Sequence, residues 1–340
     1  MIPSPCAPTS NDVCGVAIWS QLESIREITH GYALPMPDSP EVFVFTGQDW
    51  AELFRAFVAN LSLQHRRHIL ATEYTGDHRI VPWNSVGVET MAKRVDTPWL
   101  PGILRNGEML THFQPIADVQ HGEIHGYEAL ARAVVDDHTK NGGEILDAAR
   151  AHDALRDFDD KARLTALDAA SVNLRWHERL FVNILPSTFV DPYHDLNHFW
   201  AAAEEWGVAP QRVVLEILES DEMPDREALL ELVYGIRLRG GLIALDDVGA
   251  GHSSLIHIQE LKPDLVKFDR GLLPIAPSDA AVALLVGLNE YAHSHGCLTV
   301  AEGVETEQQM EIVRYCRFDL AQGWLIGKPK APPVARTLRN

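Results

Sequence analysis

From about residue 108 onward the chain repeats one unit, a short apolar strand followed by a helix, and this alternation constrains the fold more than any other feature. Candidate strands are His112–Ile116, Glu123–Leu130, Leu180–Ile184, Val213–Ile217, Leu242–Asp247, Leu265–Asp269, Cys297–Glu302 and Leu320–Leu325. Candidate helices run over Glu144–Leu174, His194–Glu205, Arg226–Arg239, Ala280–Ser294 and Glu307–Arg314. Eight strands alternating with helices over about 230 residues is the arithmetic of an α/β (β/α)8 barrel. A doubly wound open sheet is the alternative, although no glycine-rich dinucleotide turn follows the first strand.

The 340 residues leave room for a second, smaller domain. Residues 1–20, rich in Pro, Ser, Asn and Cys and without periodicity, read as a flexible arm. Residues 21–100 read as a small α/β domain. Within it, 41–46 has the β-branched and aromatic composition of a strand. Asp49 caps an expected helix from Trp50 to about Leu63, with Leu53, Phe57 and Leu61 on one face. Ile69–Thr72 is a further apolar run. The preceding His65-Arg66-Arg67-His68 reads as a solvated loop, with a phosphate site as the alternative. Asp96–Gly102, with its two prolines and a glycine, marks the boundary, and 101–340 forms the barrel domain. Cys6, Cys14, Cys297 and Cys316 make no disulfide framework. Without CxxC spacing, Cys6 and Cys14 read as thiols rather than metal ligands.

Asp and Glu number 48 against 29 Lys and Arg, a formal net charge of −19. Nonspecific binding to DNA, RNA or anionic lipid is disfavoured, since all are polyanionic. A small phosphate-bearing ligand fits only if cations lie between it and the acids. No window approaches the roughly 18 apolar residues of a membrane span, so membrane insertion is not expected. The start, Met1-Ile2-Pro3-Ser4-Pro5, lacks the basic and apolar regions of a secretory signal. The expected compartment is the cytoplasm.

Polar groups recur at or near the C-terminal ends of these strands: Glu128, Asn183, Glu216, Asp246 with Asp247, Lys267 and Glu302. Singly, each acid reads as a helix cap or a surface pair. In a barrel, those ends converge on one face, where active sites sit. Five carboxylates cannot share a small cavity unpaired, and Lys267 supplies only one positive charge. Either several are protonated or cations neutralise them. Oxygen-only donors favour hard divalent ions, Mg²⁺ or Mn²⁺, over zinc. Five acids and an amide suffice for two ions with one bridging carboxylate, an arrangement suited to in-line hydrolysis of a phosphodiester.

These residues resemble the EAL family, the cyclic di-GMP phosphodiesterases. Glu128-Ala129-Leu130 is the name motif, with Phe113-Gln114-Pro115-Ile116 and Gly126-Tyr127 before it and Arg132 after it. Val182-Asn183, Leu215–Ser220, Asp246–Leu255, Lys267-Phe268-Asp269-Arg270, Ala301–Thr306 and Gln322-Gly323 follow in order, so the resemblance covers about 108–332. It implies a TIM-like barrel with its first strand reversed, hydrolysing cyclic di-GMP to linear 5′-pGpG with two Mg²⁺ or Mn²⁺ ions. By the same resemblance Glu128, Asn183, Glu216 and Asp246 hold one ion. Asp246 bridges to a second, which Asp247 and Glu302 help to hold. Lys267 orients the attacking water, so Lys267, Glu128 and Glu302 form the catalytic set. Arg132 is the phosphate clamp. Gln114, Leu130, Asp269, Glu305 and Gln322 complete the substrate-binding positions, and a homodimer through this domain is implied.

Some positions depart from the family pattern. Ala133 replaces a tryptophan after the arginine, and Val248, Ala250 and His252 replace Phe, Thr and Tyr in the loop after the acid pair. In the family that loop couples dimer contacts to the metal site, so the changes bear on regulation. A GGDEF cyclase partner domain is missing, and Gly142-Gly143-Glu144 reads as a loop entering a helix. Besides the phosphodiesterase, two readings stand: a catalytically inactive cyclic di-GMP receptor signalling through its N-terminal region, and an acidic scaffold for a basic protein partner.

Overall fold

The computed structural model describes residues 13–36, 38–75, 80, 84–106, 109–218, 226–249, 254–273 and 278–332. Cys6, Glu219, Ser220, Ala250 and His252 therefore lie outside the described residues. The described chain forms two compact units. One is built on the residues up to Gly102 with Asp147–Asp153, the other on Ile103–Leu146 and the residues from Ala154.

The first unit carries β1 (Val13–Trp19), α1 (Glu23–Thr29), β2 (Leu34–Met36), β3 (Ser39–Thr46), α2 (Trp50–Asn60), α3 (Leu63–Arg66), β4 (Leu70–Thr75), β5 (Val86–Gly87) and α4 (Val88–Asp96). Its sheet has the order β2-β3-β1-β4-β5, with every neighbouring pair antiparallel. Phe45 of β3 meets Phe54 and Phe57 of α2 at ring-centroid distances of 5.2 and 5.3 Å, the centre of the core. Of the flexible arm expected over 1–20, Val13–Trp19 is instead the middle strand of this sheet, and residues 1–12 lie outside the described residues. Val16 and Ile18 face one apolar cluster and Cys14 and Ala17 another, so the run lacks the polar alternation that marks a half-buried strand. The His65–His68 cluster falls at α3, which Ser62 caps, and Arg66 pairs with Glu89 at 3.4 Å.

In the boundary stretch, Pro101 and Gly102 lie in the first turn of α5 (Leu100–Asn106), where the missing proline N–H leaves no helical bond unmade. The barrel follows: β6 (Met109–Asp118), β7 (Ile124–Val135), β8 (His138–Asn141), α6 (Gly142–Ala151), α7 (Leu155–Asn173), β9 (Arg179–Ile184), α8 (Pro192–Asp195), α9 (Asn197–Glu205), β10 (Val213–Leu218), α10 (Arg226–Leu238), β11 (Leu242–Val248), α11 (Ser254–Leu261), β12 (Leu265–Phe268), α12 (Asp279–Ser294), β13 (Leu298–Ala301), α13 (Glu307–Tyr315) and β14 (Leu320–Gln322). Strands β9 to β14 are successive parallel neighbours, β7 adds parallel to β9, and β6 closes the ring antiparallel to both β7 and β14. The barrel with a reversed first strand is thus observed, and the open doubly wound sheet is not. Among the described residues no helix is long and apolar enough to cross a membrane.

Several boundaries move. The helix expected over Glu144–Leu174 breaks between Ala151 and Leu155, where Asp153 takes φ 53°. The one expected over His194–Glu205 divides into α8 and α9, while β8 and α11 were not anticipated. Gly142 and Gly143 open α6 rather than a loop.

One apolar layer explains where polar side chains gather. Ile116, Phe181, Val214, Ala244, Leu265, Val300 and Leu320, from seven barrel strands, pack together. Strand side chains alternate, so the next residue on the same face lies two positions on. On the parallel strands these are Asn183, Glu216, Asp246, Lys267, Glu302 and Gln322. On reversed β6 the count runs backwards, to Gln114. Strand β7 supplies Gly126 at the apolar level and Glu128 above it. A Cβ on Gly126 would stand 2.5 Å from the Arg179 carbonyl oxygen and 2.9 Å from the Phe181 ring.

Gly126→Val is therefore expected to lower unfolding stability by about 2 kcal/mol or more, since the intruding atoms meet backbone. Gly287→Ala, in mid-α12 where a Cβ meets nothing within 4 Å, is expected to raise it by about 0.5–1 kcal/mol. Urea melts of the two variants check both signs.

Candidate active site and metal centre

Lys267 is fully buried on β12, inside the barrel. Its Nζ lies 2.8 Å from Glu302 Oε1, 2.9 Å from Glu216 Oε1, 3.0 Å from Asp246 Oδ1 and 3.6 Å from Glu128 Oε2. The ammonium is one positive charge among four carboxylates, three of them within 3.0 Å of it. Burial alone would depress the ammonium. Asp246, Glu128, Glu216 and Glu302 outweigh it and hold Lys267 well above the ordinary lysine range.

The acids divide by their partners. Burial raises the Glu128 carboxyl, but Lys267 and hydrogen bonds to both its oxygens bring it below its ordinary value. Asn183 Nδ2 donates to its Oε1 at 2.9 Å, and Gln322 Nε2 donates to its Oε2 at 2.6 Å. Glu216, at 0% exposure, has the Lys267 ammonium beside its Oε1, yet burial pushes it well above the usual carboxylate range. Burial also raises Asp246. Asp247 rises to about 6 and Glu302 to about 8, each through burial and the neighbouring charge of Asp246.

Consecutive strand residues normally point to opposite faces. Asp246 and Asp247 both reach the site because the β11–β12 ladder shifts register between Leu245 and Val248, and Asp247 takes φ 58°. The Asp247 amide also donates to Asp246 Oδ1 at 3.0 Å.

Two groups of acids can each offer one oxygen within 4.8 Å of the others: Glu128, Glu216 and Asp246, then Asp246, Asp247 and Glu302. Asp246 belongs to both. Among the described residues the buried oxygens Glu216 Oε2 and Asn183 Oδ1 lack hydrogen-bond partners. Orphaned buried oxygens, a surplus of negative charge and an all-oxygen donor set fit hard divalent cations.

Glu128 lies between two cavities. On one side Leu130, Leu146, Phe158 and Leu185 line an apolar hollow with Asp159 and Asn183. On the other, Gln114, Asp247, Asp269, Glu302, Glu305 and Gln322 share a polar one with Arg270 and Trp324. The structure thus brings together every expected metal ligand and, in the two cavities, Gln114, Leu130, Asp269, Glu305 and Gln322. Asp269 also caps a short turn by accepting from the Gly271 amide at 2.8 Å. Arg132, half-buried further along β7, lines neither hollow, and its guanidinium donates to the Ala131 carbonyl.

Asp159 and Trp324 are not singled out by the sequence, and Arg270 enters there only as the end of the Lys267-Phe268-Asp269-Arg270 run. Asp159 is buried, accepts from the Leu185 amide and the Thr188 hydroxyl at 3.1 Å each, and is raised to about 6 by burial. An acid inside a helical run carries no signal that distinguishes it from a solvated one.

Residues 99–329 match the family model described as EAL domain. The chain is 31% identical over 242 residues to cyclic di-GMP phosphodiesterase NbdA of Pseudomonas aeruginosa, a match covering 66% of this chain and 29% of NbdA. The chain spans between 28% and 33% of the length of three curated relatives that it matches. The Bacillus subtilis YkuI protein, solved with an EAL domain in complex with substrate c-di-GMP and calcium, is 26% identical with a TM-score of 0.61, covering 69% of this chain and 59% of that one. The FimX EAL domain of Xanthomonas citri shares the fold, with a TM-score of 0.64 at 21% identity, over 74% of this chain and 99% of that one.

Two predictions follow from the charges. Folded Asp247 and Glu302 keep protons that the unfolded chain releases, so their stabilising contribution is full below the ordinary carboxylate range. It is lost as pH rises through about 6 and then about 8. Melting temperature in chelator should accordingly fall between pH 5 and pH 8.5, and a flat profile contradicts the burial described. Lys267→Met leaves the carboxylates uncompensated, and should cost the metal-free protein about 3–5 kcal/mol at pH 8. The loss should shrink at pH 5, where protons replace the ammonium; chemical denaturation at the two pH values measures both.

Proposed function

The chain belongs to the EAL domain family through residues 99–329, and from that membership we propose that it hydrolyses cyclic di-GMP to linear 5′-pGpG with two Mg²⁺ or Mn²⁺ ions. The observation that carries the reading is Asp246, shared by two triads of carboxylate oxygens beside the orphaned Oε2 of Glu216. Every ligand position expected from the family holds an oxygen donor. That favours an enzyme over a receptor that only binds.

Glu128, Asn183, Glu216 and Asp246 would hold one ion, and Asp246, Asp247 and Glu302 the other. Bound there, divalent ions would neutralise the phosphodiester and activate water for in-line attack. The chain's own groups do the remaining work. Asn183 and Gln322 fix both Glu128 oxygens. The raised pKa of Lys267 keeps its ammonium charged at neutral pH, so it can orient a water and offset negative charge developing on it. Asp269 and Glu305 line the polar cavity into which one half of the substrate extends.

Incubating the purified protein with cyclic di-GMP and Mn²⁺ should yield linear 5′-pGpG. Glu128→Gln, close to isosteric, should lower turnover by more than about a hundredfold while the far-ultraviolet spectrum stays native. Tight binding of cyclic di-GMP without any linear product, under either metal, contradicts hydrolysis and leaves the receptor.

A further inference from the structure

We propose that Arg94 and His152 are positioning residues: they hold α6 at its C-terminal end, and through that helix they set the wall of the apolar hollow beside Glu128. The first unit thereby governs how substrate is admitted and leaves the metal chemistry alone. This rests on the cyclic di-GMP reading above and adds a means of regulation to it.

Helix α6 is continuous from Gly142 to Ala151, yet it divides between the two compact units. Gly142–Leu146 belongs to the barrel unit, and Asp147–Asp153 belongs to the first. At its start, Gly142, Gly143 and Leu146 line the apolar hollow together with Glu128, Leu130 and Asn183. Asn141 and Glu144 cap that end reciprocally. The Glu144 amide donates to Asn141 Oδ1 at 3.0 Å, and the Asn141 amide donates to Glu144 Oε2 at 2.9 Å. Neither glycine takes a positive φ, so the backbone does not demand them. What they supply is a wall of bare backbone and a first turn of low helix propensity, which leans on ties made elsewhere.

At the other end those ties come from α4. Arg94 Nε donates to the Ala151 carbonyl, one of the last four that a helix leaves unpaired. The same guanidinium pairs with Asp153 at 2.7 Å, and its charge complements the negative end of the α6 dipole. Beside it, His152 Nε2 lies 3.1 Å from both the hydroxyl and the carbonyl oxygen of Thr97. All these partners belong to the first unit. Along α6, Ile145, Ala148 and Ala149 are buried, an apolar stripe at i, i+3 and i+4. A helix this short is a stiff rod of roughly 15 Å, so a shift at Arg94 reaches the hollow.

The test compares full-length Arg94→Ala with Arg55→Ala. Arg55 bonds to Asp96 and to the Val95 carbonyl at the same end of α4, so its loss loosens α4 without removing a tie to α6. Hydrogen exchange over Gly142–Ala151 should quicken about tenfold in Arg94→Ala and stay within about twofold in Arg55→Ala. In Mn²⁺, Arg94→Ala should raise KM for cyclic di-GMP about tenfold. Turnover of bis(p-nitrophenyl) phosphate, a smaller phosphodiester that reports on the metal centre, should stay within about twofold. Arg94→Lys, which keeps the charge but not the fork, should recover part of both effects. Unchanged exchange or unchanged KM in Arg94→Ala overturns the proposal, as does an equal loss on both substrates or the same effects in Arg55→Ala. Wild-type protein that never cuts cyclic di-GMP overturns the phosphodiesterase reading instead. Faster exchange over α6 and a roughly tenfold weaker dissociation constant in Arg94→Ala then still uphold the positioning role, and their absence still overturns it.

Discussion

One ammonium surrounded by carboxylates is the constraint that the barrel is organised around. Lys267 has no exposed surface, and four acids stand within 3.6 Å of its nitrogen. Each buried ion costs several kcal/mol in lost hydration, and a single positive charge cannot offset four negative ones. The protein answers by raising Glu216, Asp246 and Glu302, so that protons share the load. Glu128 is the exception, held ionised by Lys267 and the amides of Asn183 and Gln322. A buried site with this surplus of carboxylates is suited to divalent cations.

The fold makes this arrangement through strand periodicity. Below the charged level lies a layer of apolar side chains from seven strands, and alternation lifts a polar group from each strand above it. Two local departures complete the set. A register shift in β11 turns Asp247 toward Asp246, and Gly126 leaves the space that the Phe181 ring fills. The reversed β6 keeps the pattern by running it backwards, which is how Gln114 comes to stand opposite Glu128 in the ladder.

Much of the fold and site was legible because burial is written in composition. Glu216 inside Val-Val-Leu-Glu-Ile-Leu and Lys267 inside Leu-Val-Lys-Phe are charges in runs otherwise fit only for a core. Strand ends were blurred by a residue or more, since Glu302 and Asp269 extend the apolar pattern visually but stand just past the ladders. The break at Asp153 was hidden because the flanking sequences are both good helix formers and the interruption is a single left-handed residue. The strand at Val13–Trp19 was missed for the opposite reason: buried on both faces, it shows no alternation. Arg270 and Trp324 are exposed, and nothing in sequence separates an exposed residue lining a cavity from one facing bulk water.

Counting ions tests the central claim most directly. Calorimetric titration of the chelator-treated protein with Mn²⁺ should reach saturation at two ions per chain, and Asp247→Asn should weaken one of the two steps while sparing the other. Saturation with no measurable uptake, or two steps indifferent to Asp247, would mean that these carboxylates gather for some purpose other than holding metal.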